Sequence, residues 1–171
     1  MELWDVLTPE GKPTGRTMVR GGTSLKSGEY HLVVHIWPIN DYGSILIQKR
    51  TKTKRLMPGI WAATGGAAIA GETSLEAAAR ELEEELGIKA PEGALKLVKR
   101  IKRRNSFIDM WVLNINIKVP ELKLQKSEVA EAKWVSKTAL MGMIDNGDYH
   151  NYGHEYFENV WHCVDDIKAK E

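Results

Sequence analysis

The segment Gly66–Ile88, GAAIAGETSLEAAARELEEELGI, constrains this chain more than any other stretch. Ala77, Ala78, Ala79, Leu82 and Leu86 are strong helix formers. Thr73 or Ser74 can cap the N-terminus of that helix, where carboxylates are favoured by the helix dipole. Gly87 supplies a left-handed stop. At about 100° per residue, Leu75, Ala79, Leu82 and Leu86 fall on one stripe suited to packing on a sheet. Glu81, Glu84 and Glu85 stand at i, i+3 and i+4 and share a different face.

Three carboxylates on one helical face repel each other by a few tenths of a kcal/mol per pair in water. A helix selected for stability alone would place Lys among them. Hard divalent cations take oxygen ligands, and clustered carboxylates supply them. The bland alternative is a solvated acidic face. The flanking glycines, with Glu72 and Arg80 at fixed offsets, favour the metal site.

Gly66, Glu72, Arg80, Glu81, Glu84, Glu85 and Gly87, with Leu82 and Ile88 at the aliphatic positions, fill every fixed position of the pattern G-x5-E-x7-R-E-U-x-E-E-x-G-U. The segment resembles the Nudix box. That resemblance implies a pyrophosphohydrolase dependent on Mg2+ or Mn2+, acting on a nucleoside diphosphate linked to another moiety. It also implies an α/β/α sandwich with a mixed sheet between helices. Glu84 and Glu85 are then the first metal ligands, and Glu81 joins them or orients the attacking water. Gly65 is a candidate carbonyl ligand, because a glycine pair lets the main chain approach a metal closely. Gly66, Glu72, Arg80 and Gly87 take structural roles, with Glu72 and Arg80 as an ion pair tying loop to helix.

Many enzymes of this kind draw a further ligand or base from a loop before a Trp-containing strand. In Ser127–Trp134 the candidates are Glu128, preferred for its spacing to Trp134, and Glu131. Asp109, inside an expected strand, is a third.

Leu3-Trp4-Asp5, Pro13-Thr14-Gly15, Tyr30-His31-Leu32 and Pro58-Gly59-Ile60-Trp61 resemble the isopentenyl-diphosphate isomerase branch of the same superfamily. That family carries a Cys-Gly-His motif where this chain has Gly65, Gly66 and Ala67. Of its histidine ligands only His31 has a counterpart; Ser24 and Ala67 stand at the others. The expectation is an isomerase-like scaffold with hydrolase chemistry. The alternatives are an isomerase-type enzyme and a nucleotide-sensing module.

Other polar residues carry less specific signals. Lys49 and Arg50 end a strand near the box and could hold a phosphate that is not attacked, or form an ordinary solvated strand end. Trp61 and Trp111 could stack on a base, although tryptophans in one domain are mostly core. The basic run Lys99, Arg100, Lys102, Arg103 and Arg104 reads as an exposed hairpin, with nucleic acid an unlikely partner. His35 fits the core or a groove, and His150, His154 and His162 lack a ligand spacing with the carboxylates.

A length of 171 residues fits one domain, with residues 1–29 as a strand-and-loop extension of it. Net charge of +1 gives no global field toward DNA or anionic lipid. The lone Cys163 excludes an intrachain disulfide. No apolar run approaches the ~20 residues that cross a bilayer, so a cytoplasmic protein without a membrane partner is expected; a homodimer is allowed. Strands are expected at Leu3–Leu7, His31–Trp37, Ser44–Arg50 and Trp61–Thr64, then a hairpin of Leu95–Arg103 with Phe107–Val119, then Ala132–Val135. Helices are expected from Ser136 to about Ile144 and from about His154 to Lys170.

Overall fold

Alternation along two strands sets the layers. In β3 (His31–Ile39), Val34 and Ile36 point to one face while Val33 and Trp37 point to the other. In β4 (Ile45–Arg50), Leu46 joins the first face, and Ile45 and Ile47 the second. Both faces are apolar, so both need a helical cover. The computed structural model describes residues 1–22 and 25–170; Ser24, set against an isomerase histidine above, lies outside the described residues.

Strands β5 (Trp61–Ala62), β6 (Thr64–Ala67), β7 (Lys96–Lys102), β8 (Ser106–Asn114) and β9 (Val129–Val135) complete a seven-stranded sheet. β8 runs parallel to β3 from His31↔Ser106 to Ile39↔Asn114, and the other pairings are antiparallel, so the sheet is mixed. Helix α1 (Ser74–Leu86) covers the Val34 face through Ala77, Ala78, Leu82 and Leu86. Helices α2 (Lys137–Asn146) and α3 (His154–Ala169) cover the Trp37 face through Leu140, Tyr156, Phe157, Val160 and Val164. This is the expected α/β/α arrangement. Leu82 and Leu86 are fully buried, and truncating either to Ala costs about 2–5 kcal/mol. No helix among the described residues is long and apolar enough to cross a membrane.

One topological detail positions the site. β3 and β4 pair in register only at Ile39↔Ile45. Beyond that point they diverge; β6 lines β3 and β5 lines β4. The sheet therefore opens at one end, beside the last turn of α1.

Several boundaries differ from the sequence reading. β2 (Pro13–Val19) pairs with β1 (Leu3–Leu7) as a separate hairpin; β2 is almost wholly exposed, so it has no alternation to betray it. That hairpin braces the loop before α1, with Ala70 N–H donating to Leu3 O and Gly71 N–H to Asp5 Oδ2. β8 stops at Asn114 instead of Val119, and a short 3₁₀ turn follows at Val119–Glu121, where Pro120 has no N–H for a ladder. β9 starts earlier than expected, at Val129. Leu75 is 49% exposed, and the small Ala77 and Ala78 take its place against the sheet.

Candidate active site

Helix α1 is fixed at both ends. Thr73 Oγ1 accepts the Glu76 N–H at 3.1 Å, and Gly87, at φ 70°, donates its N–H to Glu83 O. The last two turns consequently deliver Glu81, Glu84 and Glu85 to the opening between β3 and β4, where Gly65 and Gly66 lie.

The three carboxylates do not share a solvated face, contrary to the helical-wheel expectation. Glu85 is turned into the sheet and only 8% exposed. Its Oε2 accepts from the Gln48 amide and its Oε1 from the Gly65 N–H at 3.3 Å. Glu81 lies over the backbone of Gly66, where an added Cβ would come within 2.6 Å of its Oε1. A Cβ on Gly65, at φ +155°, would meet Val34 O at 2.0 Å. Backbone bars a side chain at Gly65, whereas one at Gly66 would displace the Glu81 carboxylate. Glu84 is the most exposed of the three and leans on Arg80 at 3.2 Å.

Arg80 organises the cluster. Its Nε and Nη2 grip both oxygens of Glu72 at 2.6 and 3.0 Å, and its Nη1 reaches Glu81 at 3.0 Å. Glu72 also accepts the Ile69 N–H at 2.7 Å, so the fork ties the loop before α1 to the helix. Burial alone would raise the Glu72 carboxyl, but the bonds from Arg80 and Ile69 hold it below its ordinary value. Glu81 is raised by burial, against the pull of Arg80. Burial pushes Glu85 up to about 8, opposed by the Gln48 bond and reinforced by the Glu81 charge.

Two carboxylates that repel each other, Glu85 buried and Glu81 partly buried, call for a cation. The donors are all oxygen, the set that hard divalent ions prefer. Among the described residues, no three acidic, histidine or cysteine side chains converge as a preassembled cage, because Glu84 is drawn to Arg80. The residues fit a divalent ion through Glu81 and Glu85, with Glu84 joining on release from Arg80.

The structure sorts the other candidates. Glu128 sits in the turn before β9, which is tied to the helix end by Gln125 N–H donating to Glu85 O at 3.0 Å. Its carboxylate pairs with Lys54. Glu131 pairs across with Lys49, on the opposite face of β4 from Gln48, beside Trp61 and Lys133. Asp109 is 1% exposed and held in a fork by Arg100 at 2.6 and 2.8 Å, which engages both of its oxygens.

Trp111 is not brought to the carboxylates. It is buried under the start of α1, its indole N–H donating to Ser74 Oγ at 3.0 Å, a helix rise of about 16 Å from Glu85. Trp61 is buried too, with Lys133 over its ring. Lys49 shares the face of Glu131, whereas Arg50 Nε donates to Leu56 O at 2.9 Å. His35 is core: its Nδ1 meets Tyr156 Oη at 2.6 Å, and burial above all lowers its pKa to about 3. His154 pairs with Glu158 on its own helix. Cys163 lies on α3 against that core, its thiol pushed to about 11 by burial first.

Two neighbours of the site escaped the sequence reading. Gln48 had only a faint signal, an uncharged polar residue between the apolar Ile45-Leu46-Ile47 run of β4 and Lys49. Tyr152 had none. Its hydroxyl accepts the Ala63 N–H at 3.1 Å, and burial pushes its pKa to about 12, opposed by that bond and by Arg50 and reinforced by Glu85.

Residues 29–154 match the model of the NUDIX domain family. An uncharacterized Nudix hydrolase of Listeria monocytogenes is 39% identical over 153 residues, covering 89% of this chain and 90% of that protein. Nudix hydrolase 3 of Arabidopsis thaliana is 36% identical over 148 residues, 78% of this chain but 19% of that longer protein. A Deinococcus radiodurans crystal structure superposes with a TM-score of 0.78 at 22% identity, over 95% of this chain and 99% of that one.

Proposed function

The chain belongs to the Nudix hydrolase family, and from that premise we propose that it hydrolyses the phosphoanhydride of a nucleoside diphosphate linked to a further moiety, with Mg2+ or Mn2+ at Glu81, Glu84 and Glu85. The observation that carries this reading is the mutually repelling pair of buried Glu85 and partly buried Glu81 set against the side-chain-free Gly65–Gly66 backbone. The ion, when bound, neutralises phosphate charge and activates water.

The protein's own groups prepare that chemistry. Gln48 and the Gly65 N–H aim Glu85, and the Gly65 carbonyl is a further candidate ligand. Arg80 aims Glu81 and holds Glu84 within reach, while its fork on Glu72 keeps the loop from drifting. Glu128, on the turn bonded to the helix end, is the candidate base or additional ligand. Arg50 is the candidate phosphate contact, and Lys49, on the other face of the strand, would engage only a substrate that wraps the sheet edge.

The test is a panel of nucleoside diphosphates and triphosphates, dinucleoside polyphosphates and nucleotide sugars, read by release of phosphate or phosphomonoester. Cleavage of at least one class is expected. Tight nucleotide binding with no release from any member would replace the hydrolase with a sensor.

A further inference from the structure

Arg16, Arg20, Arg80 and Arg100 each hold a carboxylate. Arg50 and Arg103 form no ion pair among the described residues, yet both are anchored. Arg50 Nε donates to Leu56 O at 2.9 Å, and Arg103 Nη2 donates to Tyr152 O at 2.7 Å. A guanidinium has five N–H donors, so each anchor leaves most of the fork available.

The loop that Arg103 grips is itself pinned to the opened end of the sheet. Trp61 N–H donates to Asp148 O at 3.1 Å and His150 N–H to Trp61 O at 2.9 Å. Tyr152 closes the arrangement through the Ala63 N–H, next to the strand that carries Gly65. The His150 ring packs edge-on to Tyr152, with centroids 4.6 Å apart and planes at 70°. Both guanidiniums act on that one imidazole: burial first, then Arg103 and Arg50, lower its affinity for a proton. Arg50 joins the same arrangement through its main chain, its N–H donating to Ile60 O at 2.9 Å, one residue before the Trp61 that pins the loop.

Two anchored guanidiniums with no ion-pair partner among the described residues leave donor forks that an oxyanion can take. Planar guanidinium forks match phosphate oxygens in pairs. We propose that Arg50 and Arg103, with His150 and Tyr152 between them, form an anion subsite that grips the phosphate of the substrate that is not attacked. The subsite rests on the phosphoanhydride reading above and adds to it a second, chain-distant arm.

The probe is inorganic pyrophosphate, titrated calorimetrically into metal-free protein in excess chelator. Arg50→Ala and Arg103→Ala should each weaken binding about tenfold or more, while Arg104→Ala, an equal loss of charge on the neighbouring exposed arginine, should change it less than about twofold. Circular dichroism checks that the variants stay folded. On any substrate the wild type cleaves, Arg103→Ala should raise KM about tenfold and leave kcat within about threefold. No pyrophosphate binding by the wild type at millimolar concentration, or equal binding by Arg103→Ala and Arg104→Ala, overturns the subsite. If the wild type cleaves substrate and Arg103→Ala is kinetically silent, the subsite fails and the hydrolase stands. If pyrophosphate binding depends on Arg103 but no substrate is cleaved, the subsite stands and the hydrolase fails.

Discussion

Gln48, in the middle of a buried strand, donates its side-chain amide to the Glu85 carboxylate on the last turn of α1. The bond spans the opening where β3 and β4 part and fixes the buried acid of the cluster. Gln48→Met preserves volume but leaves that carboxyl without its side-chain donor. It should cost about 1–3 kcal/mol in urea unfolding of the metal-free protein. It should also lower kcat more than it raises KM, since Glu85 loses its aim. A variant with wild-type stability and kcat would show that the bond has no consequence.

Glu85→Gln should separate stability from activity in the opposite direction. The amide keeps the shape and removes a charge that burial and Glu81 both disfavour. The metal-free variant should melt at or above the wild-type temperature, while kcat falls by orders of magnitude at saturating Mg2+. Near wild-type kcat would remove Glu85 from the ligand set.

Chelation should abolish turnover and leave the fold in place. The two cores on either side of the sheet are apolar and include none of Glu81, Glu84 and Glu85. Far-ultraviolet circular dichroism in excess chelator should match that of the loaded protein, and Mg2+ or Mn2+ should restore activity. Full activity with chelator present would sink the metal reading.

Glu128 and Glu131 should now behave differently. Glu128→Gln is expected to lower kcat by roughly 10²–10⁴-fold, the scale of a lost general base. Glu131→Gln, on the face of β4 away from Gln48, should change it less than about threefold. A reversed ranking in steady-state kinetics would move the role to Glu131, and a loss confined to weaker Mg2+ binding would make Glu128 a ligand.

His31 gives the protein an acid-side weakness. Its ring stacks on Trp4 at 4.1 Å, its buried Nδ1 has no partner among the described residues, and burial first, then Arg20, lowers its pKa to about 4. The folded pKa lies below the unfolded value of about 6.5, so the unfolded chain binds the proton first. Stability from this group is complete above pH 6.5 and is lost as pH falls toward 4. His31→Phe keeps the stack and removes the titration. Denaturation free energies between pH 7.5 and 4.5 should fall less steeply in the variant, and parallel slopes would contradict the assignment.

Local spacing accounts for what the sequence could determine. The caps of α1 at Thr73 and Gly87, the Glu72–Arg80 offset and the glycine pair are set within a few turns of one segment, where i, i+3 and i+4 geometry is fixed by the helix itself. Strands β3 and β4 were legible for a similar reason, as apolar runs between turn residues. The faces were not legible. Glu85 points into the sheet because Gln48 and Gly65 wait there, Trp111 disappears beneath Ser74, and Glu131 falls on the far side of β4 from Gln48. Arg50 and Arg103, far apart in the chain, are bonded to segments that meet at Trp61, Arg50 to Ile60 and Arg103 to the Tyr152 loop whose His150 N–H reaches Trp61 O. Each of these depends on which strand pairs with which and in what register, and a shift of a single residue would turn every side chain of a strand to the other face. Only the packing of both helical layers onto the split sheet fixes that register, so the chemistry of the helix is written locally while its surroundings are decided by contacts between distant segments.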